Sequence, residues 1–288
     1  MKIPEIFEQK KPVFSFEVFP PKKEASMGTI LETVAGLTEC KPDFISVTYG
    51  AGGGLNSYKT CDIAFAIKDE YDIEPLPHLT CVNSTKLDVR IMIERFMDAG
   101  IENIMALRGD IVEGQRNKED FRHANELAIE LQRKCQGNIE ILGACYPECH
   151  YECRSLEEDI NNLKYKIGAG VKVLITQLFF DNDKFYTFIG KARSMGINVP
   201  VSAGIMPIVK KSQVERTVKL SSASIPADFA AMLDKYENDP AGLYQAGIDY
   251  AIKQSRDLIR SGVDGIHIYT MNNAEVAKAV HDGVKDLL

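Results

Sequence analysis

The sequence lacks the features that mark membrane, secreted and nucleic-acid-binding proteins. No run of about 18 apolar residues occurs in the chain, so we expect no transmembrane helix and no membrane partner. Residues 1–5 do not show the basic-then-apolar order of a signal peptide, and the odd number of cysteines, seven, favours reduced thiols. The 41 acidic residues outnumber the 34 basic ones and no basic stripe is visible, so we expect no nucleic-acid partner. These absences favour a cytoplasmic protein.

The common motifs of nucleotide and metal sites are also missing. Residues 50–54 are rich in glycine, but Leu55 stands where the GxGxxG fingerprint requires glycine, and no GK[ST] sequence occurs. The sequence therefore supports neither a Rossmann nucleotide site nor a Walker ATP site. Cys145, Cys149 and Cys153 are spaced by four, which is no standard zinc or iron–sulfur pattern. We expect free thiols at these positions and no bound metal.

What the sequence does contain is a repeated unit, a short apolar strand followed by a helical pattern. Eight such strands begin near residues 13, 43, 75, 103, 139, 171, 199 and 263. Most starts are roughly 30 residues apart, the length of one βα unit, and the longer last gap holds extra helical material from about residue 226 to 260. This alternation predicts a parallel sheet. We expect residues 1–288 to form a single α/β domain, a closed (β/α)8 TIM barrel with a helical insertion before the last strand. A doubly wound open sheet is the alternative.

The joints between the predicted elements carry helix-end signals. Glycine can adopt the left-handed conformation that closes a helix, and it precedes four of the predicted strands, at Gly100, Gly170, Gly196 and Gly262. A capping-box pattern, Ser155 with Glu158, predicts the start of the helix after strand five.

Polar side chains collect at the carboxyl ends of the predicted strands, where barrels of this class place their chemistry. Seven of the eight strands contribute at least one: Glu17; Thr48 and Tyr49; His78 and Thr80; Arg108 and Asp110; Tyr146 and His150; Gln177 and Asp181; His267, Tyr269 and Thr270. Strand ends must become polar loops in any barrel, but this number of titratable groups favours an active site at that face.

Glu17 is the most informative single residue. Strand alternation places Ser15 and Glu17 on one face of the first strand, and Phe14 and Phe16 on the other. Because helices cover the outside of a barrel, we expect Glu17 to face the mouth. Burial disfavours a charged carboxylate, and a carboxylic acid that stays protonated near neutral pH can act as a general acid. A structural ion pair with a barrel lysine or arginine is the alternative.

Two further groups could hold a ligand. The segment Arg108-Gly109-Asp110 places a cation, a glycine that permits close backbone approach and a carboxylate at one strand end. An ordinary turn with a surface ion pair is the alternative. Asp159, Asn162 and Lys166, at i, i+3 and i+7, share one helix face. A solvated face is the default interpretation there, unless a large polar ligand lies across the helix.

At these residues the sequence resembles the methylenetetrahydrofolate reductase family. The matching segments run in collinear order from near residue 12 to near residue 279. They are Phe14-Ser15-Phe16-Glu17 with Pro20-Pro21, Ser46-Val47-Thr48-Tyr49-Gly50, Pro77-His78-Leu79-Thr80-Cys81, Leu107-Arg108-Gly109-Asp110, Tyr146-Pro147-Glu148 with His150, Ile175-Thr176-Gln177 with Phe179-Phe180-Asp181, Gly204-Ile205 with Pro207, and His267 with Tyr269-Thr270. The resemblance is to the short bacterial form and implies a chain that consists of the FAD-binding catalytic barrel only.

The resemblance implies reduction of 5,10-methylenetetrahydrofolate to 5-methyltetrahydrofolate by a two-step (ping-pong) hydride transfer through FAD, in the one-carbon metabolism that serves methionine biosynthesis. The electron donor would be NADH, NADPH or a ferredoxin-type iron–sulfur partner subunit, and we expect a homo-oligomer or a hetero-complex. Two alternatives remain: a flavin-free pterin barrel such as a folate–corrinoid methyltransferase, and a catalytically silent barrel that acts as a binding subunit.

The resemblance also implies roles for individual residues. Glu17 would be the general acid and Asp110 would stabilise the substrate cation. The substrate-binding set would be Glu17, Asp110, Gln177, Gln213 and Tyr269. The FAD-binding set would be Thr48, Tyr49, Ala51, His78, Arg108, Gly109, Asp110, His123, Ala124, Tyr146, His150, Asp159, Asn162 and Lys166. The chain departs from the family pattern at Asn273, Thr217 and Tyr165, which implies changes in the grip on the folate tail, the choice of donor and the affinity for FAD.

Overall fold

The computed structural model describes residues 1–21, 27–49, 55–111, 120–221 and 223–288. Eight parallel strands close into a barrel in chain order, with the last strand paired to the first. The strands are β1 (Val13–Val18), β2 (Phe44–Val47), β3 (Glu74–Thr80), β4 (Asn103–Leu107), β5 (Glu140–Cys145), β6 (Val171–Thr176), β7 (Val201–Ile205) and β8 (Gly265–Tyr269). The predicted barrel is confirmed, and the open-sheet alternative is wrong because β1 and β8 are hydrogen-bonded neighbours.

Helices follow the strands, as the sequence predicts, and a first helix, which was not predicted, precedes β1. They are α1 (Ile3–Gln9), α2 (Met27–Thr38), α3 (Leu55–Tyr71), α4 (Lys86–Asp98), α5 (Ala124–Cys135), α6 (Leu156–Gly168), α7 (Asn182–Ser194), α8 (Lys211–Ser221), α9 (Ala227–Lys235), α10 (Pro240–Arg260) and α11 (Ala274–Asp282). The predicted insertion before the last strand is confirmed as α9 and α10. No helix in the described ranges is both long enough and apolar enough to span a bilayer.

Strand alternation sorts the apolar side chains into two layers. Phe14 and Phe16 of β1 point outwards and belong to the large core between the barrel and its helices. Val13 and Phe44, at the starts of their strands, point inwards and pack with Ile3 of α1 in a second cluster. Helix α1 therefore closes the amino-terminal end of the barrel with an apolar floor, and the polar strand ends lie at the opposite end.

The predicted helix ends are confirmed, with one correction. The four glycines before strands have φ values of 65°, 104°, 86° and 80°, at Gly100, Gly170, Gly196 and Gly262. Ser155 caps α6, because its hydroxyl accepts from the Glu158 N–H at 3.2 Å. The capping box is only half formed, however, since the Glu158 carboxylate accepts from the Arg154 N–H at 2.7 Å rather than from Ser155.

Candidate active site

Glu17 faces the barrel mouth, as strand alternation predicts. Its side chain is 18% exposed, and Oε2 accepts a hydrogen bond from Ser46 Oγ at 3.4 Å. Two imidazoles lie close by, with His78 Nε2 at 3.5 Å and His267 Nε2 at 3.7 Å from the same oxygen. Among the residues that the structure describes, the carboxylate has no lysine or arginine partner, so the alternative of a structural ion pair with such a residue finds no support here.

His78 presents a buried polar atom to the site. The side chain is almost fully buried, and within the described part of the chain its Nε2 has no hydrogen-bond partner. Burial lowers the pKa of His78 to about 4, although the neighbouring Glu17 acts in the opposite direction. The imidazole is therefore neutral near pH 7, and because an unmade buried hydrogen bond is costly, a ligand atom that pairs with Nε2 would be stabilised there.

The ring of Tyr269 spans the mouth from β8 to β6. Its hydroxyl donates to the Thr176 carbonyl at 2.6 Å, and burial raises the pKa of Tyr269 well above its ordinary value. Gly204 makes room for the ring, because a Cβ there would lie 2.4 Å from the Thr176 carbonyl oxygen and 2.7 Å from Tyr269 Cε2. The predicted substrate residue Tyr269 is thus held rigidly. We did not predict the role of Gly204 from the sequence. Glycine inside a strand is nevertheless a known sign that another group approaches the strand closely.

The segment Arg108-Gly109-Asp110 follows β4 at the same end of the barrel. Gly109 has φ 86°, a conformation that favours glycine, and a Cβ there would lie 2.9 Å from Thr80 Cβ. Both the backbone conformation and the lack of space therefore require glycine. Asp110 is exposed, and its carbonyl accepts from Asn83 Nδ2 at 3.0 Å. Arg108 pairs with Glu152 at 2.5 Å, so an ion pair does form here, but with a residue 44 positions away.

The polar face of α6, which we interpreted by default as solvent-exposed, is largely buried. Asp159 is 5% exposed and accepts the His150 N–H at 2.9 Å, while Lys166 Nζ donates to the Ala144 carbonyl at 2.9 Å. Burial raises the pKa of Asp159 and lowers that of Lys166. Asn162 is exposed and donates to Cys153 Sγ at 3.4 Å. The solvated-face interpretation is therefore wrong for Asp159 and Lys166 and holds for Asn162.

Aromatic rings and thiols complete this side of the mouth. His150 meets the ring edge of Tyr146 at 4.7 Å and stacks on Tyr151 at 4.5 Å, measured between ring centroids. Burial, followed by the charge of Arg108, lowers the pKa of His150. Cys149 and Cys153 are half-buried in the same loop, and neither forms a disulfide.

The remaining predicted FAD-binding residues lie at the same ends of their strands or at a helix start. Thr48 and Tyr49 follow β2, with the Thr48 carbonyl accepting from Thr60 Oγ1 at 3.0 Å and Tyr49 packed on the core. His123 is the exposed N-cap of α5, and Ala124 behind it is buried. Ala51 lies outside the described residues.

Two predicted substrate residues have local backbone partners. The side-chain oxygen of Gln177 accepts from the Leu178 N–H at 2.9 Å. The side-chain oxygen of Gln213 accepts from the N–H groups of residues 209 and 210, both at 2.9 Å, and so caps α8. Gln213 was predicted to bind substrate only because of the family resemblance. Nothing in the neighbouring sequence indicated that it caps a helix.

The structure shows the contacts and exposure of the three positions that depart from the family pattern. Asn273 caps α11, because its side chain accepts from the Val276 N–H at 3.1 Å. Thr217 is buried in α8, and Tyr165 on α6 is 68% exposed.

Comparison with known proteins identifies the family of this chain. The chain matches the sequence model of methylenetetrahydrofolate reductase over residues 2–285. The 5,10-methylenetetrahydrofolate reductase of Escherichia coli (strain K12) is 35% identical over 266 residues, which cover 92% of this chain and 88% of that protein. The enzyme of the same name from Pectobacterium carotovorum is 34% identical over the same shares.

A solved structure supports the fold. A protein from Clostridium thermocellum, described as binding two copies of 5-methyl-5,6,7,8-tetrahydrofolic acid, matches with a TM-score of 0.68. The match covers 98% of this chain and 97% of that one, and at 13% identity it bears on the fold alone. On the family match and the identities to named enzymes, this chain belongs to the methylenetetrahydrofolate reductase family of oxidoreductases.

Proposed function

We propose that the protein reduces 5,10-methylenetetrahydrofolate to 5-methyltetrahydrofolate, with FAD as the hydride carrier in a ping-pong reaction and Glu17 as the general acid. Family membership supports the substrate and the product. The observation that carries the acid role is the position of Glu17 in the mouth. Its carboxyl group contacts a serine hydroxyl and two imidazoles, and no described lysine or arginine pairs with it.

The chemistry of the mouth fits FAD on two grounds. His78 Nε2 is a buried atom without a hydrogen-bond partner among the described residues. Arg108 and Lys166 both lie close enough to His150 to lower its pKa, and two cations there suit a diphosphate. The residues that would hold FAD are the predicted set Thr48, Tyr49, Ala51, His78, Arg108, Gly109, Asp110, His123, Ala124, Tyr146, His150, Asp159, Asn162 and Lys166. When bound, FAD supplies the redox chemistry, taking a hydride from the donor and giving it to the folate.

The protein's own contribution is acid catalysis and charge stabilisation. The five-membered imidazolidine ring of the substrate accepts hydride poorly. Protonation of N10 by Glu17, directly or through water, breaks the bond from N10 to the one-carbon unit and leaves an N5 iminium cation, which accepts hydride well. The carboxylate of Asp110 stabilises this cation. Gln177, Gln213 and Tyr269 contact the substrate.

The first test is cofactor binding. Purified protein should bind FAD non-covalently, and Lys166→Ala should weaken the affinity by roughly 10- to 100-fold, the equivalent of one charged hydrogen bond. Titration of the apoprotein with FAD, followed by flavin fluorescence, measures this. Lys164→Ala is the matched control, because Lys164 is exposed on the same helix. Protein that stays colourless after FAD addition would favour the flavin-free alternatives.

Asp110→Asn separates the two halves of the reaction. The variant should keep its flavin and its ability to pass electrons from the donor to an artificial acceptor. Reduction of methylenetetrahydrofolate should fall by roughly 10²-fold or more, because the lost charge stabilises a cation that forms only on the folate. Steady-state assays with the two acceptors measure the difference. Equal losses in both assays would contradict this role of Asp110.

The donor and the cellular setting complete the proposal. We infer a cytoplasmic enzyme of methionine biosynthesis that works as a homo-oligomer or with a partner subunit. NADH, NADPH and a reduced ferredoxin-type partner should differ in the rate at which they bleach one FAD-loaded preparation, and stopped-flow comparison of the three identifies the donor.

A further inference from the structure

A chain of buried polar side chains lies beneath Glu17. Ser15 Oγ is 2.7 Å from His267 Nδ1, and His267 Nε2 is 3.3 Å from Ser46 Oγ, which in turn donates to Glu17 Oε2 at 3.4 Å. Ser15, Ser46 and His267 are each 0% exposed. The barrel register brings them together, because Ser15 pairs with His267 between β1 and β8 and Glu17 pairs with Ser46 between β1 and β2.

The contacts of Ser46 give this chain a direction. The Ser46 hydroxyl has one proton and donates it to Glu17 Oε2, so Ser46 Oγ can only accept from His267 Nε2 at 3.3 Å. A neutral imidazole then carries its proton on Nε2, and Nδ1 accepts from the Ser15 hydroxyl at 2.7 Å. The reverse order would remove the Ser46 hydrogen bond from Glu17 Oε2.

We propose that His267, acting through Ser46, is a positioning residue that keeps Glu17 Oε2 as a hydrogen-bond acceptor, so that the transferable proton is carried on Oε1. The inference rests on the proposed role of Glu17 as the acid. The titratable groups that face this carboxyl are His78, His267 and Tyr269. Burial lowers the pKa of His78 to about 4, so its imidazole holds no spare proton near neutral pH, and burial raises the pKa of Tyr269 well above its ordinary value. Neither replaces Glu17 as the acid, so the orientation of Glu17 decides how well the proton is delivered.

The tautomer can be observed without any turnover. In ¹⁵N-histidine NMR of the protein without FAD or folate, His267 should show the Nε2–H tautomer, and the His267→Gln variant assigns its signals. Ser15→Ala should shift the population towards Nδ1–H, because the donor to Nδ1 is lost. A wild-type signal of the Nδ1–H tautomer would overturn the proposal.

Kinetics then test whether the chain acts through Glu17. His267→Asn is too short to reach Ser46, whereas the longer amide of His267→Gln can place an N–H near the position of Nε2. We expect His267→Asn to lower methylenetetrahydrofolate reduction at least tenfold, about one lost hydrogen bond, and His267→Gln to stay within a few-fold of wild type. Electron transfer from the donor to an artificial acceptor should be unchanged in both. Ser46→Ala, which removes only the hydroxyl, should reproduce the loss.

Measurements in the Glu17→Gln background distinguish a failure of the positioning role of His267 from a failure of the proposed function. If His267 acts through Glu17, His267→Asn should add no further loss in that background. Equal losses in both backgrounds, or wild-type rates in His267→Asn and Ser46→Ala, would overturn the positioning role. A Glu17→Gln protein that itself reduces the folate at the wild-type rate would instead overturn the proposed function.

Discussion

Replacement of Glu17 by glutamine is expected to lower the rate of methylenetetrahydrofolate reduction by roughly 10²–10⁴-fold, the range typical of a lost general acid. Glutamine keeps the size of the side chain and can still accept a hydrogen bond from Ser46, but it cannot supply the proton that opens the folate ring. Electron transfer from the donor to an artificial acceptor should survive, because no folate is protonated in that reaction.

The two halves can be measured separately by stopped-flow absorbance of the flavin. Glu275→Gln makes the same chemical change on the exposed surface of α11 and should leave both halves unaltered. If the Glu17→Gln protein transfers hydride to the folate at nearly the wild-type rate, Glu17 is not the acid and its place in the mouth is structural.

Gly204→Ala is expected to destabilise the protein and to disturb Tyr269. The new methyl group would lie 2.4 Å from the Thr176 carbonyl oxygen and 2.7 Å from Tyr269 Cε2, and the carbonyl belongs to the backbone of β6. Overpacking of this kind typically lowers the free energy of unfolding by about 1–3 kcal/mol. Because Tyr269 can yield more easily than the backbone can, we also expect a higher KM for methylenetetrahydrofolate.

Urea unfolding followed by circular dichroism measures the first effect and initial rates measure the second. Gly190→Ala is the matched control: a Cβ there meets nothing within 4 Å, and glycine inside a helix costs about 0.5–1 kcal/mol relative to alanine. The control should therefore be slightly more stable than wild type. A Gly204→Ala protein with the wild-type midpoint and KM would show that β7 and Tyr269 are not in close contact.

The fold was predictable because its signals are local. Strand alternation in β1 correctly placed Glu17 in the mouth and Phe14 outside, and the glycine before β4 closes the helix that the sequence predicted. Each of these inferences needs only the neighbouring residues and the geometry of a strand or a helix end.

The site was less predictable because barrel closure creates contacts between distant segments. Tyr269 donates to Thr176 across 93 residues of sequence, and Arg108 pairs with Glu152 across 44. The spacing of Asp159 and Lys166 showed a shared helix face but not that the loop after β5 would bury it. The capping role of Gln213 depends on the path of the chain after β7. The hydrophobic periodicity of the sequence does not indicate that path.

The central claim, that the protein passes hydride to methylenetetrahydrofolate in a second, donor-free step, has a direct test in one turnover. FAD-loaded protein is reduced by its donor without oxygen, freed of excess donor, and mixed with methylenetetrahydrofolate. We expect the visible absorbance of the oxidised flavin to return while 5-methyltetrahydrofolate forms in an amount equal to the bound flavin. A flavin that stays reduced, with the folate recovered unchanged, would contradict the claim.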